Sequence, residues 1–299
     1  MKKIFISGCG GMLGDAFYSV FNKAYELKCT DIVLCENWLE YLDFRNFDEY
    51  FQSVNDFQPD YLFHLGAFTD LEYCEDNIED TYITNTLSVE NAVLIANKLN
   101  IPILYISTAG IFDGSKDTYD DWDQPNPLCH YARSKFAGET FVLQQAKFPL
   151  VLRAGWMMGG GPKKDKKFVF KILKQIKDGY NILRVVDDKL GTPTYTLDFA
   201  KNAKIILESE IWGLYNLVCH GITGRFEVAK KILSILNLEN KIKLEKVDSS
   251  YFNQEYFAPR PSSERLINKK LQLRGLDHMR DWETCLEEYL QTSFNDYLS

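Results

Sequence analysis

The segment Ile4-Phe5-Ile6-Ser7-Gly8-Cys9-Gly10-Gly11-Met12-Leu13-Gly14 constrains the fold more than any other part of this chain. A short apolar run that stops on clustered glycines and restarts as an amphipathic stretch reads as strand, tight turn and helix. Gly8, Gly10, Gly11 and Gly14 let the backbone turn sharply and approach a ligand, with Met12 and Leu13 in the first helical turn. The N–H groups and positive dipole end of such a helix suit a pyrophosphate.

The same rhythm continues. Runs 4–7, 31–35, 61–65, 103–107 and 150–154 read as buried strands, separated by helical stretches 12–26, 46–56, 78–98 and 130–146. Repeated β-α units predict an α/β fold, a doubly wound parallel sheet with right-handed crossovers. After residue 155 the rhythm loosens. A Gly-Pro-Lys stretch at 159–167 precedes a helix near 168–179, strands near 182–186 and 213–218, and helices near 225–236 and 279–292. Residues 1–155 are expected to form a dinucleotide-binding domain whose sheet is completed by about 180–220. Residues 156–299 mainly form a smaller substrate lobe over the sheet's carboxyl edge.

Among 299 residues the formal charge is −8, which argues against a broad nucleic-acid or anionic-membrane surface. Seven cysteines without a Cys-x-x-Cys pair predict reduced thiols in a cytoplasm, and four scattered histidines show no metal-ligand spacing. The first apolar run is too short for a signal-peptide core, and no later one reaches transmembrane length.

Two constellations carry the chemistry. Glu36, at the end of the expected second strand, can accept hydrogen bonds from adenosine ribose hydroxyls and would repel a 2′-phosphate. No Lys or Arg lies between 29 and 44, which tilts the reading toward NADH over NADPH, with Asp43 a second candidate, for the adenine. Farther on, Ser107-Thr108 closes the fourth strand, and Tyr131 and Lys135 stand one helical turn apart on the next helix. An ammonium beside a phenol should lower its pKa from about 10 and ready it for proton transfer.

These motifs resemble the extended short-chain dehydrogenases/reductases, a Rossmann-type class, and within it most closely the dTDP-4-dehydrorhamnose reductase family. The likeness runs through Gly8–Gly14, His64–Thr69, Asn85, Ile106–Thr108 with Phe112–Gly114, and Tyr131–Lys135 with Gly138-Glu139. It continues in Arg153–Trp156, Gly191–Pro193 and Arg260–Leu266. The resemblance implies a cytoplasmic NAD(P)H-dependent reductase of a nucleotide-linked 4-keto-6-deoxy sugar, serving dTDP-rhamnose and polysaccharide synthesis. It implies that Tyr131 donates the proton, Thr108 orients the carbonyl and Lys135 holds the nicotinamide ribose. It also implies cofactor contacts from Phe44, Leu65, Gly66, Ala67 and Thr69. Sugar and nucleotide contacts would come from Thr69, Thr108, Ala109, Trp156 and Arg260, the last either at the phosphates or in a structural ion pair. A homodimer is compatible with the resemblance. The metal-bridged dimer of some members is not carried over, because no matching carboxylate cluster is visible.

The chain also departs from the pattern. The reductases usually carry Asp-Tyr after the catalytic Thr, where this chain has Ala109-Gly110. The acid–base pair of sugar-nucleotide dehydratases and the cysteine of epimerase-reductases are missing too, which leaves hydride and proton transfer at one carbonyl. Two rivals stay open: the same chemistry on another sugar or nucleotide, and a non-catalytic regulatory subunit like that of methionine adenosyltransferase. Cys129-His130 lies off the face of Tyr131 and Lys135, and the acidic loop Asp113–Asp123 reads as a solvated rim. Finally, residues 153–177 hold eight basic groups against one acid, a local positive patch where the substrate lobe begins.

Overall fold

A computed structural model describes residues 1–295 and 297. Seven strands build its main sheet: β1 (Lys3–Ser7), β2 (Glu26–Asp31), β3 (Leu39–Tyr41), β4 (Tyr61–His64), β5 (Ile103–Thr108), β6 (Pro149–Ala154) and, from the second half, an edge strand Gly213–Asn216. Their order runs from the edge strand through β6, β5, β4, β1 and β2 to β3, and every pairing is parallel. Alternation along the strands feeds two cores. Ile4 and Ile6 face a layer with Phe17, Phe21, Phe63 and Phe199, whereas Phe5 faces Tyr50, Val54, Val89 and Val93.

The helices of the first half are α1 (Met12–Phe21), α2 (Phe47–Phe57), α3 (Leu71–Asp76), α4 (Ile78–Tyr82), α5 (Ser88–Leu99) and α6 (His130–Gln145). The helix expected at 78–98 is interrupted by a π-helical turn, Ile83–Leu87. Asn85 in that turn explains the irregularity: its side chain accepts from Phe68 N–H at 2.8 Å and donates to Phe68 O at 3.0 Å and Ser134 Oγ at 3.2 Å. One side chain thus holds the loop after β4 against α6.

The second strand lies elsewhere than the apolar run 31–35 suggests. β2 ends at Asp31, and Ile32, Val33 and Leu34 are exposed by 47%, 61% and 55%. Alternation explains the difference: Cys29 is buried from β2 and pairs with Ile6, so the strand needs only every second residue apolar. Periodicity misread an exposed aliphatic loop as its continuation.

Beyond β6 the chain forms β7 (Trp156–Met158), α7 (Gly161–Lys164), α8 (Phe168–Lys177), β8 (Ile182–Val186), β9 (Leu190–Gly191), β10 (Pro193–Tyr195) and α9 (Thr196–Glu208). After the edge strand, now β11, come β12 (Thr223–Gly224), α10 (Arg225–Ile235), β13 (Lys243–Val247), β14 (Ser263–Glu264), α11 (Lys269–Arg274) and α12 (Trp282–Ser293). The small strands form separate pairings: β7 with β10, β8 with β13, and β12–β9–β14. The acidic loop is more than a rim. Asp121 is buried and accepts from the backbone N–H of Asn216 and Lys270, clasping β11 and α11 together.

Candidate active site at the carboxyl edge of the sheet

The glycine turn packs without slack. Gly8 has φ +70°, and a Cβ on it would lie 2.1 Å from Gly66 Cα, so the loops after β1 and β4 touch through backbone. A Cβ on Gly14 would lie 2.0 Å from Cys9 O, so α1 sits directly on the turn. Above Gly11 there is open space, and the N-terminus of α1 has no side-chain cap. Uncapped N–H groups beside an open glycine-lined trough fit a dinucleotide's pyrophosphate. Met12 and Leu13 begin that helix, and Leu65, Gly66 and Ala67 follow β4 beside it. Phe44 is buried, packs its ring edge-on to His64 at 4.9 Å, and closes over Gly66. Burial holds the His64 imidazole down to about 3, so it is a neutral hydrogen-bonding post for Ser7 and Ser88.

At the end of β2 it is Asp31, not Glu36, that faces the glycine turn. Its carboxylate accepts from Gly10 N–H at 2.8 Å and Val33 N–H at 3.0 Å. The spacing of about twenty residues from the glycines was the available signal. Glu36 lies on the following loop and pairs at 3.2 Å with Lys164 from α7, which also binds Asp15 on α1. A lysine therefore does reach this corner, from far along the chain. Asp43 is held below the usual carboxylate range by its hydrogen bonds to Arg45.

The catalytic candidates converge as their spacing demands. Thr108 ends β5, where its Oγ1 accepts from Gly110 N–H at 3.1 Å, while Ser107 is turned into the interior. Tyr131 and Lys135 project from one face of α6, and the Tyr131 phenol stands beside the Thr108 hydroxyl. Contrary to expectation, that phenol sits above its ordinary pKa. Burial dominates, the neighbouring Thr108 hydroxyl opposes it, and nearby Glu264 adds to the rise. Lys135 does not offset this: its Nζ lies 4.2 Å over the Tyr105 ring. Burial pushes the lysine itself down to about 7, against the pull of Glu139 one turn away. Glu139 in turn makes a buried bidentate pair with Arg153, at 2.5 and 3.1 Å. Cys129 is buried and its thiol is pushed up to about 11, so it is unreactive at neutral pH.

The second half roofs the site. The Trp156 indole lies against Gly191, where a Cβ would be 2.2 Å from the ring, and carries the Arg225 guanidinium 4.3 Å from its centroid. Indole Nε1–H donates to Glu264, which reaches in from β14. Thr69 receives Lys167 Nζ at 3.1 Å on both its hydroxyl and its carbonyl. Arg260 is engaged by Glu72 through two hydrogen bonds, at 2.7 and 2.9 Å. The basic stretch 153–177 divides accordingly. Arg153 is interior, Lys164 serves the glycine turn, and Lys167 meets the loop after β4. Arg225 had no sequence signal; Lys164 lay in the basic stretch 153–177 and Glu264 in the Arg260–Leu266 motif, but neither was singled out as a site residue.

A parallel dinucleotide-type sheet with a Thr–Tyr–Lys row at its carboxyl edge defines an extended short-chain dehydrogenase/reductase. More narrowly, the chain belongs to the family described as RmlD substrate binding domain, whose model matches residues 1–294. A spore coat polysaccharide biosynthesis protein of Bacillus subtilis, SpsK, is 30% identical over 97% of this chain and 98% of its own. The dTDP-4-dehydrorhamnose reductase of Aggregatibacter actinomycetemcomitans is 28% identical over 96% of this chain and 98% of its own. The crystal structure of dTDP-4-dehydrorhamnose reductase from Bacillus anthracis in complex with NADP superposes with a TM-score of 0.88 at 27% identity, covering 97% of this chain and 99% of that one. Among the described residues no helix is long and apolar enough to cross a membrane.

Proposed function

We propose that this chain reduces the C4 keto group of a nucleotide-linked 4-keto-6-deoxy sugar, dTDP-4-dehydrorhamnose first among them, at the expense of NADH or NADPH. The observation that carries the reading is the Thr108–Tyr131–Lys135 row, set beside an uncapped glycine-lined helix N-terminus and roofed by Trp156. The glycine turn would hold the pyrophosphate, and Lys135 the nicotinamide ribose. When bound, the reduced nicotinamide supplies hydride. Tyr131, a phenol that is protonated at neutral pH, gives its proton to the keto oxygen. Thr108 orients that oxygen, and the Trp156 lobe excludes water from it. Thr69 would line the sugar side, whereas Ala109, expected there from the resemblance, is buried against Ile111 and Phe112 and leaves that role to its neighbours. Lys167 and Arg225 would bring positive charge near the nucleotide's diphosphate.

Oxidation of NADH and of NADPH against dTDP-, UDP-, GDP- and CDP-4-keto-6-deoxy sugars tests this. Turnover with at least one of them is the expected result. Tight cofactor binding with no turnover on any would overturn it.

A further inference from the structure

We propose that Glu264 is the residue with which this chain reads the sugar's C3 hydroxyl, a carboxylate brought to the catalytic threonine by the C-terminal lobe. This rests on the sugar-nucleotide reduction proposed above. β14 pairs in parallel with β9, Ser263 opposite Leu190 and Glu264 opposite Gly191, which buries Ser263 and leaves Glu264 partly open. One oxygen, Oε2, accepts from Trp156 Nε1. The indole is confined by the Gly191 backbone and the Arg225 guanidinium, so the carboxylate is held in one orientation.

Its other oxygen, Oε1, lies 3.2 Å from where a Cβ on Gly110 would be, and Thr108 Oγ1 lies 3.5 Å from that same point. Gly110 is not among the glycines with positive φ, so its backbone does not demand glycine. What a side chain there would meet is Glu264. The missing side chain at Gly110 therefore leaves room beside Thr108, and the Glu264 carboxylate from β14 faces into it. A carboxylate can only accept hydrogen bonds, so its partner on the ligand must be a donor. In a 4-keto-6-deoxyhexose ring, C4 has one hydroxyl-bearing neighbour, C3, because C5 carries the methyl group and the ring oxygen. With Thr108 and Tyr131 on the keto oxygen, Oε1 is placed for that hydroxyl.

The test compares wild type, Glu264→Ala and Glu264→Gln on a 4-keto-6-deoxy sugar nucleotide and on its 4-keto-3,6-dideoxy counterpart. A hydrogen bond to a charged acceptor predicts a loss of kcat/KM of roughly ten- to a hundredfold for Glu264→Ala on the hydroxylated substrate. On the dideoxy substrate the same variant should match wild type within about threefold. Glu264→Gln retains an acceptor for Trp156 and guards against misfolding; it should show the same hydroxyl-dependent loss, less steeply. Equal losses on both substrates would make Glu264 a mere brace for Trp156 and overturn the proposal, as would no loss on either. If wild type reduces neither, the ketoreductase reading itself falls; if wild type turns over and the variants do not discriminate, only this inference does.

Discussion

Tyr131 faces a requirement set by the direction of the reaction. Reduction of a carbonyl needs a proton donor, and a half-buried phenol held above its ordinary pKa is protonated at neutral pH. Tyr131→Phe should keep cofactor affinity, measured by fluorescence titration, while kcat falls by roughly two to four orders of magnitude. Lys135 makes a second prediction. Its folded pKa of about 7 lies below the ordinary 10.5, so between these values the unfolded chain binds the extra proton. The contribution of Lys135 to stability therefore becomes more favourable as pH rises through that window. Urea unfolding from pH 7 to 9 should show wild type gaining on Lys135→Met, by at most about 1.4 kcal/mol per pH unit. A constant difference across that range would mean that Lys135 is not desolvated as its burial indicates. Thr108, Tyr131 and Lys135 were legible in the sequence because a strand end and a single helical turn place them. Glu264 was not, since nothing near it in the chain says that its partner is Trp156.

At the scale of the element, α6 is held to β6 by the Glu139–Arg153 pair, whose side chains are 1% and 3% exposed. Removing one member strands a buried charge. Arg153→Met should cost about 3–5 kcal/mol in urea unfolding, and it should raise KM through displacement of Lys135 and Tyr131. Loss of less than about 1 kcal/mol would show the pair to be dispensable. The π-helical turn around Asn85 and the true end of β2 were the two element-level features that the pattern concealed. Apolar periodicity reports burial, and neither a side chain bracing a loop nor an exposed aliphatic loop follows that rule. The strand slip mattered, because it moved the acid facing the glycine turn from Glu36 to Asp31.

Across the whole molecule, the second half finishes what the first begins. Lys164 bridges Asp15 and Glu36 at the corner expected to hold the adenosine ribose. Lys164→Ala should weaken NADPH roughly tenfold or more and NADH less, whereas Glu36→Ala frees the lysine and should weaken NADH more than NADPH. Calorimetric titration of both cofactors decides it; equal changes for the two would show that this corner does not read the 2′ position.

The sequence by itself determined the doubly wound sheet, the glycine turn and the Thr108–Tyr131–Lys135 row. Each depends on backbone conformation or on spacings of a few residues within one strand or helix, and those are local properties. Only the tertiary structure decided that Arg260 engages Glu72, that Lys164 reaches Glu36, and that Glu264 faces the space left by the missing side chain of Gly110. Trp156 and Glu264 are 108 positions apart, and Arg260 and Glu72 188. A charged side chain carries no local mark of its partner, so such contacts exist only once the whole chain has folded.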